Sequence, residues 1–321
     1  MLEIISPSRL HISLIDLNAS LGRIDGGVGI CLADPHTRIR AEIAEQVEIT
    51  GSPQLTERME LAASAVLPEG QGIHIHVEED VPPHIGLGSG TQAALCAAAA
   101  VNDLYDLGMS VKELAILVGR GGTSGIGVAG FETGGFLVDC GHRFSEKGSF
   151  SPSSASKAPP APIIFRENFP DWKIVIALPD TQGAHDSTEV DIFKEKCPIP
   201  LREVQEVSHV VLMQMLPAIV EKDIENFGES INHIQTVGFK KEEISLQPLE
   251  VQSLITFMRN AGAFGSGMSS FGPAIYGFVE SENEGRQIQE QVQEYLHETI
   301  GGTVMLTTAN NFGASIKRDQ F

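Results

Sequence analysis

Two α+β domains are what this 321-residue sequence predicts. Three observations point there: the length exceeds what one hydrophobic core usually serves, the first 80 residues are rich in alternating strands that lead into an alanine-rich helix, and a Ser/Pro/Ala-rich break separates them from a second run of strands flanking helices. The boundaries this implies are an N-terminal domain over 1–150, a loop or linker over 151–170, and a C-terminal domain over 171–321.

Taken in order, LEIIS, HISLIDL, VGICLA and RIRAEIAEQVEI read as strands. In the last of these Ile39, Ala41 and Ile43 alternate with Arg38, Arg40 and Glu42, the period-2 pattern of a sheet with one wet face. LTERMELAASAVL reads as a helix, and IHIHVE returns to alternation with His74 and His76 on the solvated side. The segment QAALCAAAAVNDLYDL combines high helix propensity with side chains small enough for close packing, so it reads as a buried helix. VKELAILVGR is a second short helix, and the glycine-rich GGTSGIGVAGFETGG reads as a connection into the strand FLVD. Residues 143–171, with SFSPSSASKAPPAP, hold few large apolar side chains and read as loop. Beyond them come a strand (KIVIALP), helices near 201–220, 223–236 and 247–261 with Met213 and Met215 in the core, a strand (AIYGFVE), a helix (EGRQIQEQVQEYLHET), and the strands VMLTT and GASIK. Strands flanking two-helix layers suggest a ferredoxin-like half.

Composition narrows the function. Hydrophobic residues make up 42% and mean hydropathy is +0.02, enough for a packed interior. With 42 acidic and 22 basic side chains the net charge is -20, a field that repels nucleic acid and anionic membranes, so neither is expected as a partner. An anionic small molecule can bind only where arginines, lysines and backbone amides reverse that field locally. Cys31, Cys96, Cys140 and Cys197 are too widely spaced for a disulfide framework and read as reduced thiols. The opening MLEIISPSRL is not a secretory leader and no long apolar run occurs, so a cytoplasmic enzyme is expected.

The sharpest motif is Pro83-His84-Ile85-Gly86-Leu87-Gly88-Ser89-Gly90-Thr91-Gln92, between a strand and the alanine-rich helix. Gly86, Gly88 and Gly90 let backbone approach a ligand closely, while the first-turn amides of the helix, with Ser89, Thr91 and Gln92, supply donors and a positive dipole end. That is a phosphate cradle, and it matches neither the Walker A pattern nor the dinucleotide fingerprint. A second concentration of polar groups lies near the N-terminus: Ser8-Arg9-Leu10-His11, Leu14-Ile15-Asp16-Leu17-Asn18 and Gly22-Arg23-Ile24-Asp25-Gly26-Gly27-Val28-Gly29. Alone, Asp16 fits a strand-end turn and His11 a core histidine equally well; clustered with two arginines they point to a site. The run Pro179–Glu189, with Asp180 and His185, follows an apolar strand and is a candidate second wall, with Glu132, Asn310 and Asn311 as lesser candidates.

The decapeptide resembles the P-x-x-G-L-G-S-S-A-like signature of the GHMP kinase superfamily. Gly262-Ala263-Phe264-Gly265-Ser266-Gly267-Met268 with Gly272-Pro273 resembles its second glycine-rich element, and Ser6-Pro7-Ser8-Arg9 stands where the superfamily opens. The resemblance implies an N-terminal domain like ribosomal protein S5 domain 2, a C-terminal ferredoxin-like domain, an active site between them, and Gly265, Ser266 and Gly267 as further phosphate-binding residues. The departures matter. Where superfamily kinases carry S-G-x-D, this chain has Ser124-Gly125-Ile126-Gly127, and where they place a magnesium-binding Glu it has Ile116. Losing both carboxylates argues against phosphoryl transfer from ATP, which depends on metal clamping and positioning. Homoserine kinases also lack the aspartate, so an ATP-dependent small-molecule kinase stands as the alternative, and a noncatalytic binder of phosphorylated metabolites as a second.

The N-terminal set is similar to the S-x-R-L-H, L-I-D-L-N and G-R-x-D-G-G-x-G motifs of the β-ribofuranosylaminobenzene 5'-phosphate synthase family of methanopterin biosynthesis. That resemblance implies a homodimeric, Mg2+-assisted enzyme. It would join 5-phosphoribosyl 1-diphosphate to 4-aminobenzoate or 4-hydroxybenzoate, releasing CO2 and diphosphate. For such chemistry Asp25 or Asp16 can stabilise positive charge on the ribose, with His11 or Asn18 at the aryl substituent. Arg9 and Arg23 can pair with phosphate or carboxylate, and Ser8, Gly26, Gly27, Asp180 and His185 are candidate substrate contacts. The Mg2+ ligands are left unassigned.

Overall fold

The computed structural model describes residues 1–181 and 186–318. Strand β1 (Leu2–Asp16) and strand β2 (Arg23–Ala44) form one long antiparallel pair running from Leu2 opposite Ala41 to Asp16 opposite Asp25. Segments that read as four strands are thus two. The register shifts at Pro7/Ser8 and His11/Ser13 bend the ladder without ending it, and Pro7 has no amide to donate there.

The N-terminal half continues through β3 (Glu48–Thr50), α1 (Thr56–Val66), β4 (Gly72–Glu79), α2 (Ser89–Leu104), α3 (Val111–Leu117), α4 (Ile126–Thr133), β5 (Phe136–Asp139), β6 (His142–Arg143), α5 (Phe144–Lys147) and β7 (Ile163–Glu167). Helix α4 occupies the stretch read as a glycine-rich connection. Its glycines serve packing: a Cβ at Gly130 would press on the Cys31 sulfur of the sheet beneath. The presumed linker also carries structure, since β7 pairs with β5.

The second half comprises β8 (Lys173–Pro179), α6 (Asp186–Lys196), α7 (Leu201–Val210), a π-helical turn (Val211–Met215), α8 (Leu216–Glu221), α9 (Ile224–Ile234), α10 (Gly238–Ser245), α11 (Leu249–Asn260), β9 (Gly265–Met268), β10 (Ile275–Val279), α12 (Glu282–Glu298), β11 (Gly302–Thr307) and β12 (Ser315–Arg318). Strands β11, β8, β10 and β9 lie side by side in that order, antiparallel throughout, the ferredoxin-like arrangement. The last strand departs from expectation. GASIK does not join this sheet; β12 returns to the N-terminal one and pairs with β1, giving the order β12-β1-β2-β4-β3. The C-terminal domain therefore ends before residue 315.

Alternation along β8 explains how the halves join. Ile174 and Ile176 face Leu10, Ile12, Val28, Ile30 and Phe136 of the first sheet, with Phe227 and Phe278 between them, while Val175 and Ala177 face the other way under α11 and α12. A separate core packs α1 and the alanines of α2 on the N-terminal sheet. Met215 is buried as expected, but Met213 is 62% exposed, because the π-helical turn rotates it out of the apolar stripe.

Where the halves meet, backbone lies on backbone. Ala274 N–H donates to Ile85 O at 3.3 Å, Ser269 Oγ to Gly86 O at 2.7 Å, and Ser270 N–H to His11 O at 3.0 Å. A Cβ on Gly272 would overlap the Ile85–Gly86 backbone, which cannot swing aside. Gly272→Ala should therefore cost about 1–3 kcal/mol by overpacking, seen as a lower urea midpoint, and should loosen the 85–88 loop. An unchanged midpoint would mean that this seam yields freely.

Candidate active site

A cavity of about 210 Å³ opens between the two halves, and three groups of elements build it. From β1 come Arg9, His11 and Leu14; from the glycine loop and the start of α2 come Pro83, His84, Gly86, Gly88, Ser89, Gly90 and Thr91; from the second half come Glu189 and Phe193 of α6, Glu243 of α10, and Ser270, Phe271 and Gly272. Arg58 of α1, Arg120, Thr123, Ser124, Pro152 and Ser153 complete it.

The loop is shaped by Arg9. Its backbone N–H donates to Leu87 O at 3.0 Å and its guanidinium donates to Gly86 O at 2.6 Å. Gly88 is the N-cap of α2 at φ +79°, a conformation that a side chain resists, and its missing Cβ leaves the space that the Arg9 guanidinium fills. No side chain caps α2, so its first-turn amides open toward the cavity that Ser89, Gly90 and Thr91 line. Gly90 in turn makes room for the Arg58 guanidinium. Arg9, Arg58 and Arg120 thus converge on a helix N-terminus, a local reversal of the protein's net charge of -20. Burial lowers the Arg9 pKa to about 10, against which Cys31, Glu189 and Glu243 raise it.

His11 is 6% exposed, and its Nδ1 has no hydrogen-bond partner among the described residues. Burial, together with Arg9 and Lys240, holds its pKa well below the usual 6.5, so the ring is neutral at pH 7. Leu14, Phe193 and Phe271 add an apolar face, and the Phe193 and Phe271 rings, 6.2 Å apart, are backed by Phe239. Glu243 is buried against Lys240 of the same helix, Nζ to Oε2 2.5 Å.

The remaining residues expected at the site lie elsewhere. Asp25, a proposed catalytic carboxylate, is 1% exposed and does not line the cavity; it accepts from His142 Nδ1 at 2.6 Å and from Lys147 Nζ at 2.9 and 3.0 Å. Lys147 also donates to Thr123 Oγ1 at 2.9 Å, so Asp25 supports the cavity wall from behind. Asp16 closes a turn by accepting from Asn18 N–H at 2.7 Å and Ala19 N–H at 3.1 Å, and the Asn18 amide donates to Ile199 O at 2.7 Å. Arg23 donates to the carbonyls of Cys140 and Gly141. Gly26 and Gly27 pack near Asp139, whose pKa burial raises to about 6 although Gly141, Gly125 and Gly27 amides and Ser124 stabilise its charge.

Ser8 is buried outside the lining, and Gln92 is fixed between Ser6 Oγ and Gly127 O. Gly265, Ser266 and Gly267 lie in β9, where Gly265 abuts Gly228 and Gly267 abuts Gln235, so the second-half wall is Ser270–Gly272 instead. Asp180 follows the end of β8 and lies outside the cavity, beside Gly301. His185 lies outside the described residues.

Ile116, at the position of the kinase glutamate, is 51% exposed on α3, and Gly127 packs on the Thr91 methyl. Sequence reasoning missed Arg58, Arg120, Phe193 and Glu243. Arg120 directly before Gly121-Gly122 was the available signal, a cation beside a flexible turn; GFKKEEIS read only as part of an uninterpreted stretch.

Comparison with known proteins agrees with this architecture. Residues 55–135 match the family model for the GHMP kinases N terminal domain, and residues 215–298 that for the GHMP kinases C terminal domain. A beta-ribofuranosylphenol 5'-phosphate synthase of Archaeoglobus fulgidus is 44% identical over 99% of this chain and 100% of its own. The protein of the same name from Methanothermobacter thermautotrophicus is 45% identical over 96% of each chain. Among solved structures, a putative homoserine kinase from Listeria monocytogenes superposes with a TM-score of 0.68 at 18% identity, covering 99% of this chain and 100% of that one. The L. major mevalonate kinase complex with R-mevalonate gives 0.69 at 14% identity, covering 96% of each. These structures share the fold. No helix among the described residues is long and apolar enough to cross a membrane.

Two outcomes test the site. Arg9→Gln removes the guanidinium beside the glycine loop and should cost roughly 1.5–3 kcal/mol, one to two decades in kcat/KM, the worth of a charge-assisted hydrogen bond, whereas Arg38→Gln, on the outer face of β2 beside Glu3 and Glu79, should cost under about 1 kcal/mol. Equal effects in steady-state kinetics would place the site elsewhere. His11 gives a pH signature. Because its folded pKa lies below the unfolded 6.5, the unfolded chain binds the extra proton as pH falls beneath that value, and stability drops by up to about 1.4 kcal/mol per pH unit. The stability advantage of wild type over His11→Gln should therefore shrink between pH 7 and 5 in urea titrations, and a constant gap would contradict a buried neutral ring.

Proposed function

From the premise that the chain belongs to the beta-ribofuranosylphenol 5'-phosphate synthase family, built on the GHMP kinase fold, we propose that it is a decarboxylating phosphoribosyltransferase. Its substrates are 5-phosphoribosyl 1-diphosphate and a para-substituted benzoate. The phenol in the relatives' names favours 4-hydroxybenzoate over 4-aminobenzoate. The observation that carries the reading is the convergence of three arginines and an uncapped helix N-terminus with an apolar, aromatic wall and a neutral histidine in one cavity.

The donor is highly anionic, and Arg9, Arg58, Arg120 and the α2 amides suit its phosphates. The planar acceptor fits against Leu14, Phe193 and Phe271, with the His11 ring on the same cavity wall for the phenol oxygen. As the C1–O bond breaks, its electron pair leaves on diphosphate. The carboxylated ring carbon bonds to C1, and the pair of the ring–carboxylate bond then returns to the ring as CO2 departs. A neutral His11 that accepts a hydrogen bond from the phenol raises electron density at the para carbon that attacks.

Among the described residues no cluster of three His, Cys, Asp or Glu side chains could hold a metal. Mg2+ fits here as an ion carried by the diphosphate and met by one carboxylate, for which Glu189 is placed on the wall, and when bound it would neutralise the leaving group. The residues fit a visiting ion, not a resident one.

Purified protein with Mg2+, the donor and carboxyl-labelled 4-hydroxybenzoate should release labelled CO2 and diphosphate in equal amounts. Formation of ADP from ATP with no CO2 would support the kinase alternative and overturn this reading.

A further inference from the structure

The proposed reaction builds positive charge on the ribose as diphosphate leaves, and that charge calls for a carboxylate facing it. Neither aspartate expected from the sequence lines the cavity: Asp25 is bound by His142 and Lys147, and Asp16 by a turn. Among the described residues two carboxylates do line it, Glu189 and Glu243.

Glu243 is 3% exposed and its partner Lys240 is fully buried, both on α10, with Nζ 2.5 Å from Oε2. Lys240 Nζ also lies 3.4 Å from Ser270 O, tying the pair to the segment that lines the cavity and grips β1. A buried ion pair rarely stabilises more than apolar residues of the same size, because desolvation offsets its attraction. Retained on the wall of a ligand cavity, it is better explained by chemistry than by stability.

We propose that Glu243 is a catalytic carboxylate of this site, facing the ribose carbon from which diphosphate departs, and that Lys240 is a positioning residue that fixes its orientation. The inference rests on the reaction proposed above. Glu243 makes no bond; it offsets the developing charge on C1 and leaves the electron pair to diphosphate. Around it stand Arg9 and the neutral His11 from β1, Glu189 from α6 and Tyr276 from β10, with Lys240 on its own helix.

The test uses the full chain with Mg2+, both substrates and CO2 release as readout. Wild type without CO2 release defeats the reaction itself. With an active wild type, Glu243→Gln should lower kcat by about 100-fold or more while the donor KM stays within about threefold, since the carboxylate acts on charge that exists only in the transition state. Lys240→Met should lower kcat with the donor KM within about threefold of wild type, and Lys240→Arg should restore part of the loss; a merely structural lysine would change stability and leave both constants in place. If a single variant proves unstable, Lys240→Met with Glu243→Gln buries no charge and should fold, with the same kcat loss as Glu243→Gln. Glu243→Gln or the double variant with kcat near wild type, or a loss carried by KM alone, overturns the proposal.

Discussion

The grip on a short stretch of backbone, Ile85 to Gly88, is the constraint on which the rest depends. Arg9 holds it from one side through Gly86 O and Leu87 O, and Ser269 and Ala274 hold it from the other. That loop cannot be shaped by its own sequence alone. Its glycines make it pliable, and pliability is of use only when two rigid surfaces choose one conformation. The first turn of α2, the Arg9 side chain and the second-half wall are placed by the same contacts, so the shaping of the cavity and domain docking are one event.

The fold was largely legible because it is written in periodicity. The alternation in β4, the alanines of α2 and the apolar run of β8 each led to the element observed. What escaped was set by long-range contact. Gly130 reads as a breaker until Cys31 is seen beneath it, and β12 reads as part of the nearest sheet until its pairing with β1 is known. Half the site was legible for the same reason: Arg9, His11 and the glycine loop are close in the chain or carried by a motif, whereas Arg58, Phe193 and Glu243 come from helices whose patterns say only that one face is wet. The dense polar set after Leu14 was the misleading signal. Asp16, Asn18, Arg23 and Asp25 satisfy backbone and buried cations around β1 and β2, and dense polarity marks a hydrogen-bonded scaffold as readily as a catalytic surface.

The electrostatics follow from this layering. A protein of net charge -20 admits an anion only where its cations are collected, and here they are collected at the cavity rim while carboxylates are confined behind it or to the second-half wall. Asp25 with Lys147 and His142, and Asp139 with three amides and Ser124, hold negative charge beneath Thr123 and Ser124 in a form already satisfied by hydrogen bonds. A satisfied carboxylate repels an incoming phosphate less than an open one would.

The return of β12 to the first sheet makes the C-terminal domain an insertion: the chain leaves the sheet after β7 and re-enters it at β12, with Asn310 N–H bonded to Cys31 O on the way. An inserted domain hangs on two tethers instead of one, which removes most of the rotations available to domains joined by a single linker. Access to the cavity is then a matter of side-chain and loop adjustment at a nearly fixed aperture, and what enters is selected by the shape of that doorway more than by any closing movement.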